Sequence, residues 1–210
     1  MPAISTFDKN VEQYEQWFVD HPLAYVSELH ALRELLPAGG TGVEIGAGTG
    51  RFAAPLGIRQ GVEPSPAMGR LAERRGVKTL QAVAEKLPFR DGEFDFCLMV
   101  TTVCFLDDMA LAFSEANRVL KPGGAFIIGF VDREGPLGKE YLSRREASVF
   151  YKDATFYSVG EIVARLEKAG FGSFSFRQTL FRPLPELEEV EPVKEGHGEG
   201  SFVAVRALRR

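Results

Sequence analysis

Two hydrophobic spacings alternate along the chain. Leu23, Val26, Leu29, Leu32 and Leu36 recur at three- and four-residue intervals, which predicts an amphipathic helix over residues 11–36. His21-Pro22 interrupts it, and Pro37-Ala38-Gly39-Gly40 ends it. Short apolar runs of strand length follow at 41–45, 59–63, 77–82, 94–101 and 125–131. The run at 94–101, Phe-Asp-Phe-Cys-Leu-Met-Val-Thr, is apolar enough to be buried on both faces. Helical spacing returns between the runs. It predicts a short helix at 51–56, limited by Pro55, then one at 66–75 capped by Ser65, and another at 107–120 stopped by Lys121-Pro122-Gly123-Gly124. A charged, exposed helix is expected at 138–150, and an amphipathic one at 159–169 with Ser158 as its cap. The last two runs, 173–180 and 201–207, alternate as half-buried strands around a glycine-rich turn at 195–200.

Strands alternating with helices imply an α/β fold with a mostly parallel sheet and helices on both faces. Two consecutive strands at the end, with no helix between them, imply an antiparallel edge pairing. The 210 residues suit one domain with a full core.

Residues 42–50 read Gly-Val-Glu-Ile-Gly-Ala-Gly-Thr-Gly, an apolar strand breaking into Gly46, Gly48 and Gly50. Glycines at alternate positions let the backbone turn sharply and approach a ligand. Strand, glycine turn and helix are how an α/β protein meets a nucleotide-like group. Glu63 closes the next apolar run nineteen residues after Glu44, a spacing that suits a carboxylate gripping a ribose diol. A dinucleotide turn reads G-x-G-x-x-G, and here its third glycine position holds Arg51.

The pattern E-x-G-x-G-x-G resembles the nucleotide loop of the class I S-adenosylmethionine (SAM)-dependent methyltransferases, and the resemblance covers nearly all of the chain after Pro37. It implies a Rossmann-like sheet of seven strands in order 3-2-1-4-5-7-6, strand 7 antiparallel, with the ligand at the carboxyl ends of the strands. It implies SAM as cofactor at Gly46, Ala47, Gly48 and Gly50, with Glu44 beside the methionyl amine and Glu63-Pro64 at the ribose. Ala84-Glu85 matches the segment along the adenine, although Val83 stands where the family commonly has an aspartate for the adenine amine. Thr101 and Thr102 end the fourth strand, which in the family faces the sulfonium methyl, so both are candidates to orient an acceptor, and Thr101 is also a candidate cofactor contact. Residues 1–36 resemble the helical lid of small-molecule members, with Tyr14 or Trp17 against the sulfonium and His21 as a candidate base. Residues 132–158, the stretch least like the family, are expected to shape the acceptor side.

Composition narrows the acceptor. A net charge of −4 speaks against general affinity for nucleic acid. No apolar run is long enough to span a bilayer, and no secretory signal is expected at the start. Cys97 and Cys104 read as buried thiols in a reducing, cytoplasmic setting, and no Cys/His cluster has metal-ligand spacing. A small organic molecule is the expected acceptor. Two alternatives are a non-catalytic SAM-binding protein and a nicotinamide-dependent oxidoreductase. The glycine spacing and the lack of a Tyr-x-x-x-Lys pair oppose the oxidoreductase. Oligomeric state is not encoded in any motif.

Overall fold

The computed structural model describes residues 2–210, with side chains described from Ile4 onward. Three helices come first: α1 (Pro2–Lys9), α2 (Val11–Asp20) and α3 (Pro22–Arg33). The break after α2 falls where Pro22, lacking an N–H, takes the first position of α3. The sheet is built from β1 (Gly42–Ile45), β2 (Gln60–Val62), β3 (Lys78–Leu80), β4 (Phe94–Val100), β5 (Leu120–Val131), β6 (Phe171–Thr179), β7 (Lys194–Glu195) and β8 (Phe202–Arg209). Helices α4 (Pro66–Arg74), α5 (Met109–Val119), α6 (Pro136–Ser143) and α7 (Val159–Lys168) complete the order.

The strands lie in the order β3-β2-β1-β4-β5-β8-β6-β7. The first five are parallel, and β8 runs antiparallel between β5 and β6. The expected order is therefore kept, with β8 as the expected seventh strand and one strand added. The addition is β7, a two-residue edge paired to Arg177 and Gln178 of β6. Its residues are exposed, so no apolar alternation marks it. The Gln178 side chain holds this turn by donating to Glu195 O and accepting from Glu199 and Gly200 N–H.

Alternate side chains of the central strands serve two cores. Cys97 and Met99 of β4 join Phe126 and Ile128 of β5 under Phe113, Ile162 and Leu166 of α5 and α7. Phe96, Leu98 and Val100 face the other way, with Ile127 and Ala204, under Leu29 and Leu32 of α3. Burial on both faces is why β4 reads as a continuous apolar run. Cys97 is fully buried, and burial pushes its thiol pKa up, so it packs as a small hydrophobe.

Two helix expectations change. Residues 51–57 form turns rather than a helix. Pro55 contributes no N–H, so the isolated bonds from Ala54 to Gly50 O and from Leu56 to Phe52 O never become a ladder. At 138–150 only the start is helical, within α6, followed by single 3₁₀ turns at Arg145–Ala147 and Tyr151–Asp153. The stretch is largely exposed as expected, although Leu137 just ahead of it and Gly138 are buried. Arg133 N–H donates to Tyr157 O, joining the two ends of residues 132–158 to each other, and Thr155 N–H donates to Cys104 O, tying the segment to the body.

Candidate active site

The glycine turn lies at the carboxyl end of β1. Gly46, Gly48 and Gly50 all have positive φ, at 74°, 54° and 79°. Two of them also answer to close neighbours. A Cβ on Gly46 would stand 2.4 Å from Thr102 Oγ1, and one on Gly50 would stand 3.1 Å from Ala72 Cα of α4. Four of the five N–H groups of the turn are already used. Gly46 and Ala47 both donate to Val62 O, at 2.8 and 2.9 Å, and Gly50 donates to Ala47 O at 2.8 Å. Gly48 N–H donates to Glu63 Oε2 at 2.8 Å. A pyrophosphate needs free backbone donors. With these four spent, the turn is suited to a ligand without phosphate there, which counts against the nicotinamide alternative.

Glu63, at the carboxyl end of β2, lines a cavity of about 710 Å³ that opens over the turn. Its other oxygen accepts from Ser65 N–H at 2.8 Å. Each carboxylate oxygen keeps a second lone pair, so two hydroxyls can still be received. Burial pushes its pKa up to about 7, against the opposing pull of the Ser65 and Gly48 N–H groups. Pro64 and Gly48 line the same end.

Glu44, Ala47 and Gly50 lie outside the cavity lining and shape the turn from behind. Glu44 is 1% exposed, and one of its oxygens accepts from Ala53 N–H at 2.9 Å. It closes the 51–57 turn, whose first amides lack a helical partner. Burial raises its pKa well above the usual carboxylate range.

The N-terminal helices line the cavity and are fastened to the turn. Tyr14 OH lies 3.2 Å from where a Gly48 Cβ would be. One residue on, Glu15 is gripped by Arg51 and Arg75, each at 2.5 Å, and also accepts from the Thr49 hydroxyl. Arg75 donates in addition to Thr49 O at 2.7 Å. Burial works to raise the Glu15 pKa, but the two guanidiniums and Thr49 hold it below its ordinary value. Asp8 of α1 accepts from Ser65 Oγ at 2.7 Å and Ala67 N–H at 3.0 Å, fastening α1 to the start of α4. Arg51, Arg75 and Asp8 were missed in the sequence because their partners lie tens of residues away.

Val83, Ala84 and Glu85 line another wall, beside Leu106 and Asp107. Glu85 accepts from Asp107 and Asp108 N–H, at 3.0 and 3.2 Å, so its carboxylate is turned into the loop ahead of α5. Thr101 and Thr102 also line the cavity. The Thr102 hydroxyl donates to Val100 O at 3.0 Å, which commits it to the backbone. Thr101 has φ +48°, a costly conformation for a β-branched residue. Its N–H is held by Gly129 O at 2.7 Å, while no described residue takes its hydroxyl.

The deeper wall is aromatic. Trp17 and His21 face it with ring centroids 5.3 Å apart, and Tyr141 and Tyr151 from residues 132–158 stack at 4.8 Å. Leu184 and Pro185 of the loop after β6 add to it. Ser27 of α3 holds that loop by accepting from Glu191 N–H at 2.9 Å. Glu28 of α3, also unnoticed in the sequence, faces the same wall. A signal was present: Glu28 lies four residues after Ala24 and four before Leu32, on the buried stripe. Among the described residues, no group of three His, Cys, Asp or Glu side chains is placed to hold a metal ion. No helix among them is long and apolar enough to cross a membrane.

A parallel sheet with this turn and this carboxylate defines a nucleotide-binding α/β protein. Comparison with known proteins makes the class specific. The methyltransferase domain family matches residues 43–128. A crystal structure from Thermotoga maritima, described as a SAM-dependent methyltransferase and possible histamine N-methyltransferase, superposes with a TM-score of 0.96 at 54% identity, over 98% of this chain and 99% of that one. An uncharacterized protein of Methanocaldococcus jannaschii is 46% identical over 97% of this chain and 98% of its own length. The malonyl-(acyl-carrier protein) O-methyltransferase of Geobacter sulfurreducens is 32% identical over 79% of this chain and 69% of its own. The chain belongs to the class I SAM-dependent methyltransferases, and SAM is its methyl donor.

Proposed function

We propose that the enzyme transfers the methyl group of SAM to a small organic acceptor held in the same cavity. One observation carries the cofactor half of this reading: a buried carboxylate, Glu63, faces the cavity beside a glycine turn that has spent four of its five N–H donors. Such a site fits a ribose diol attached to a group without phosphate. Glu63 then receives the ribose hydroxyls, while Gly46, Gly48 and Pro64 let the ligand lie close. The wall at Val83, Ala84 and Glu85 takes the adenine through backbone groups, and no described residue takes up the nearby Asp107 carboxylate, which stands where it can accept the adenine amine that Val83 cannot. When bound, SAM supplies an electrophilic methyl on a sulfonium.

The chain's own work is to orient and to exclude water. Helices α1 and α2 act as the lid, and Tyr14 shields the sulfonium side of the turn. Thr101, at the strand end that faces the reacting groups, positions the acceptor by its free hydroxyl. His21 stands on the acceptor side, where an imidazole can receive a proton. Residues 132–158 form the far wall of the acceptor space.

Titration calorimetry tests the cofactor site. The parent binds SAM and S-adenosylhomocysteine but not NAD, and Glu63→Ala weakens binding by about 1.5–3 kcal/mol, since bonds to a charged group are lost. Affinity unchanged by that substitution would place the ribose elsewhere. Turnover is read as S-adenosylhomocysteine release across an acceptor panel that includes histamine, in view of the Thermotoga relative.

A further inference from the structure

Glu28 is the outstanding unexplained group in the molecule. It is 3% exposed and lines the cavity, yet its carboxylate has no hydrogen bond or ion pair with any described residue. A buried carboxylate normally comes with a partner, because desolvation of an unpaired charge is costly. The other buried carboxylates of this site have theirs: Glu44 has Ala53 N–H, and Glu63 has Gly48 and Ser65 N–H. Its carboxyl is thus free to meet a ligand that enters the cavity.

We infer that Glu28 is the counter-ion for a cationic nitrogen on the methyl acceptor, so that the substrate is a small amine with an apolar or aromatic body. This rests on the reading that one cavity holds both SAM and acceptor.

Three features support a cation rather than another polar group. First, the cavity that Glu28 lines has aromatic walls, with Tyr14, Trp17, Tyr141 and Tyr151 among its lining residues. Aromatic faces attract a cation once water is excluded. Second, the cavity has almost no positive charge of its own. Asp20, Glu63, Glu85, Asp107 and Glu140 line it with Glu28, whereas Arg144 is its one guanidinium and is already paired with Glu140 at 3.0 Å. Arg51 and Arg75 are committed to Glu15. Third, burial alone pushes the Glu28 pKa up to about 8, with no donor opposing it. An arriving ammonium supplies the missing donor and favours the ionised carboxylate. Trp17, Leu137, Tyr141 and Leu184 then cover the body of the acceptor.

SAM is itself cationic, so the test must separate the two ligands. The isosteric variant Glu28→Gln keeps the volume and removes the charge. Thermal-shift and calorimetric titrations are run on parent and variant loaded with S-adenosylhomocysteine. The probes are matched sets of arylalkyl and alkyl compounds differing only in their end group: primary amine, alcohol or carboxylic acid. The expected result is that amines bind the parent in preference to their alcohols and acids. Their affinity falls at least tenfold in Glu28→Gln, while S-adenosylhomocysteine affinity stays within twofold. Preference for alcohols or acids, no binding by any amine of the panel, or amine affinity that survives the substitution would each overturn the proposal. A tenfold loss of S-adenosylhomocysteine affinity in Glu28→Gln would also overturn it, by assigning Glu28 to the cofactor. Failure of the parent to bind S-adenosylhomocysteine is a different result, and it removes the underlying reading instead.

Discussion

Two carboxylates face the same cavity under different restraint. Glu63 is fixed by two backbone N–H groups before any ligand arrives, so its oxygens are aimed. Glu28 is fixed by nothing but burial. The difference has a consequence for stability. An unfolded glutamate titrates near 4.5, whereas folded Glu28 titrates near 8 and folded Glu63 near 7. Between those values the folded protein binds more protons than the unfolded chain, so stability falls as pH rises. The stabilising contribution is complete below about pH 4.5 and is lost as pH climbs through 8. Melting temperature of the ligand-free parent is thus expected to drop between pH 5 and pH 8.5, and Glu28→Gln to drop less, with the advantage of the variant growing towards high pH. Parallel melting curves for the two proteins would show that Glu28 carries no raised pKa. Legibility divides along the same line. Glu63 was readable because it lies a fixed distance after a glycine turn and ends a strand. The burial of Glu28 was signalled by its place on the helical stripe, but its place in the cavity was not, because that depends on Tyr141 and Tyr151, more than a hundred residues away.

At the scale of elements, the N-terminal helices are held to the sheet by few but specific bonds. Glu15 joins α2 to Arg51 and Arg75, and Asp8 joins α1 to the first turn of α4. With α1 and α2 as the proposed lid, ligand entry opens these contacts. Glu15→Ala removes the carboxylate that Arg51 and Arg75 share, although Arg75 keeps its bond to Thr49 O, and is expected to cost about 1 kcal/mol of local closure, roughly a fivefold rise in opening. Hydrogen exchange checks this: amides of α1 and α2 exchange faster in the variant, while those of β4 and β5 do not change. Equal acceleration in the sheet would mean that the latch supports the whole fold rather than the lid. The helix break at His21-Pro22 was legible, since proline acts locally. The 51–57 turn was misread as helix because Pro55 and the capping contact from Glu44 act together. The short strand β7 left no pattern at all, since two exposed residues have no alternation to show.

Across the whole molecule, the order of strands places every candidate group at one end of the sheet. The turn after β1, Glu63 after β2, Val83 to Glu85 beyond β3 and Thr101 after β4 all reach the same cavity. That convergence follows from parallel strands and right-handed crossovers, and it was expected from the alternation of elements alone. The far side of the cavity is closed instead by the segments of least regular sequence, 132–158 and 181–191; the first was expected there, while the second only tertiary contacts reveal. The cavity lining is acidic in a chain whose net charge is only −4, so the field inside it reflects placement more than composition. A crystal structure of the enzyme with S-adenosylhomocysteine tests this arrangement most directly. The ribose hydroxyls are expected within hydrogen-bonding distance of Glu63, with the sulfur pointing toward Thr101 and Tyr14. A complex in which the ribose lies away from Glu63, or in which Tyr14 keeps the space over Gly48 closed to the ligand, would contradict the account.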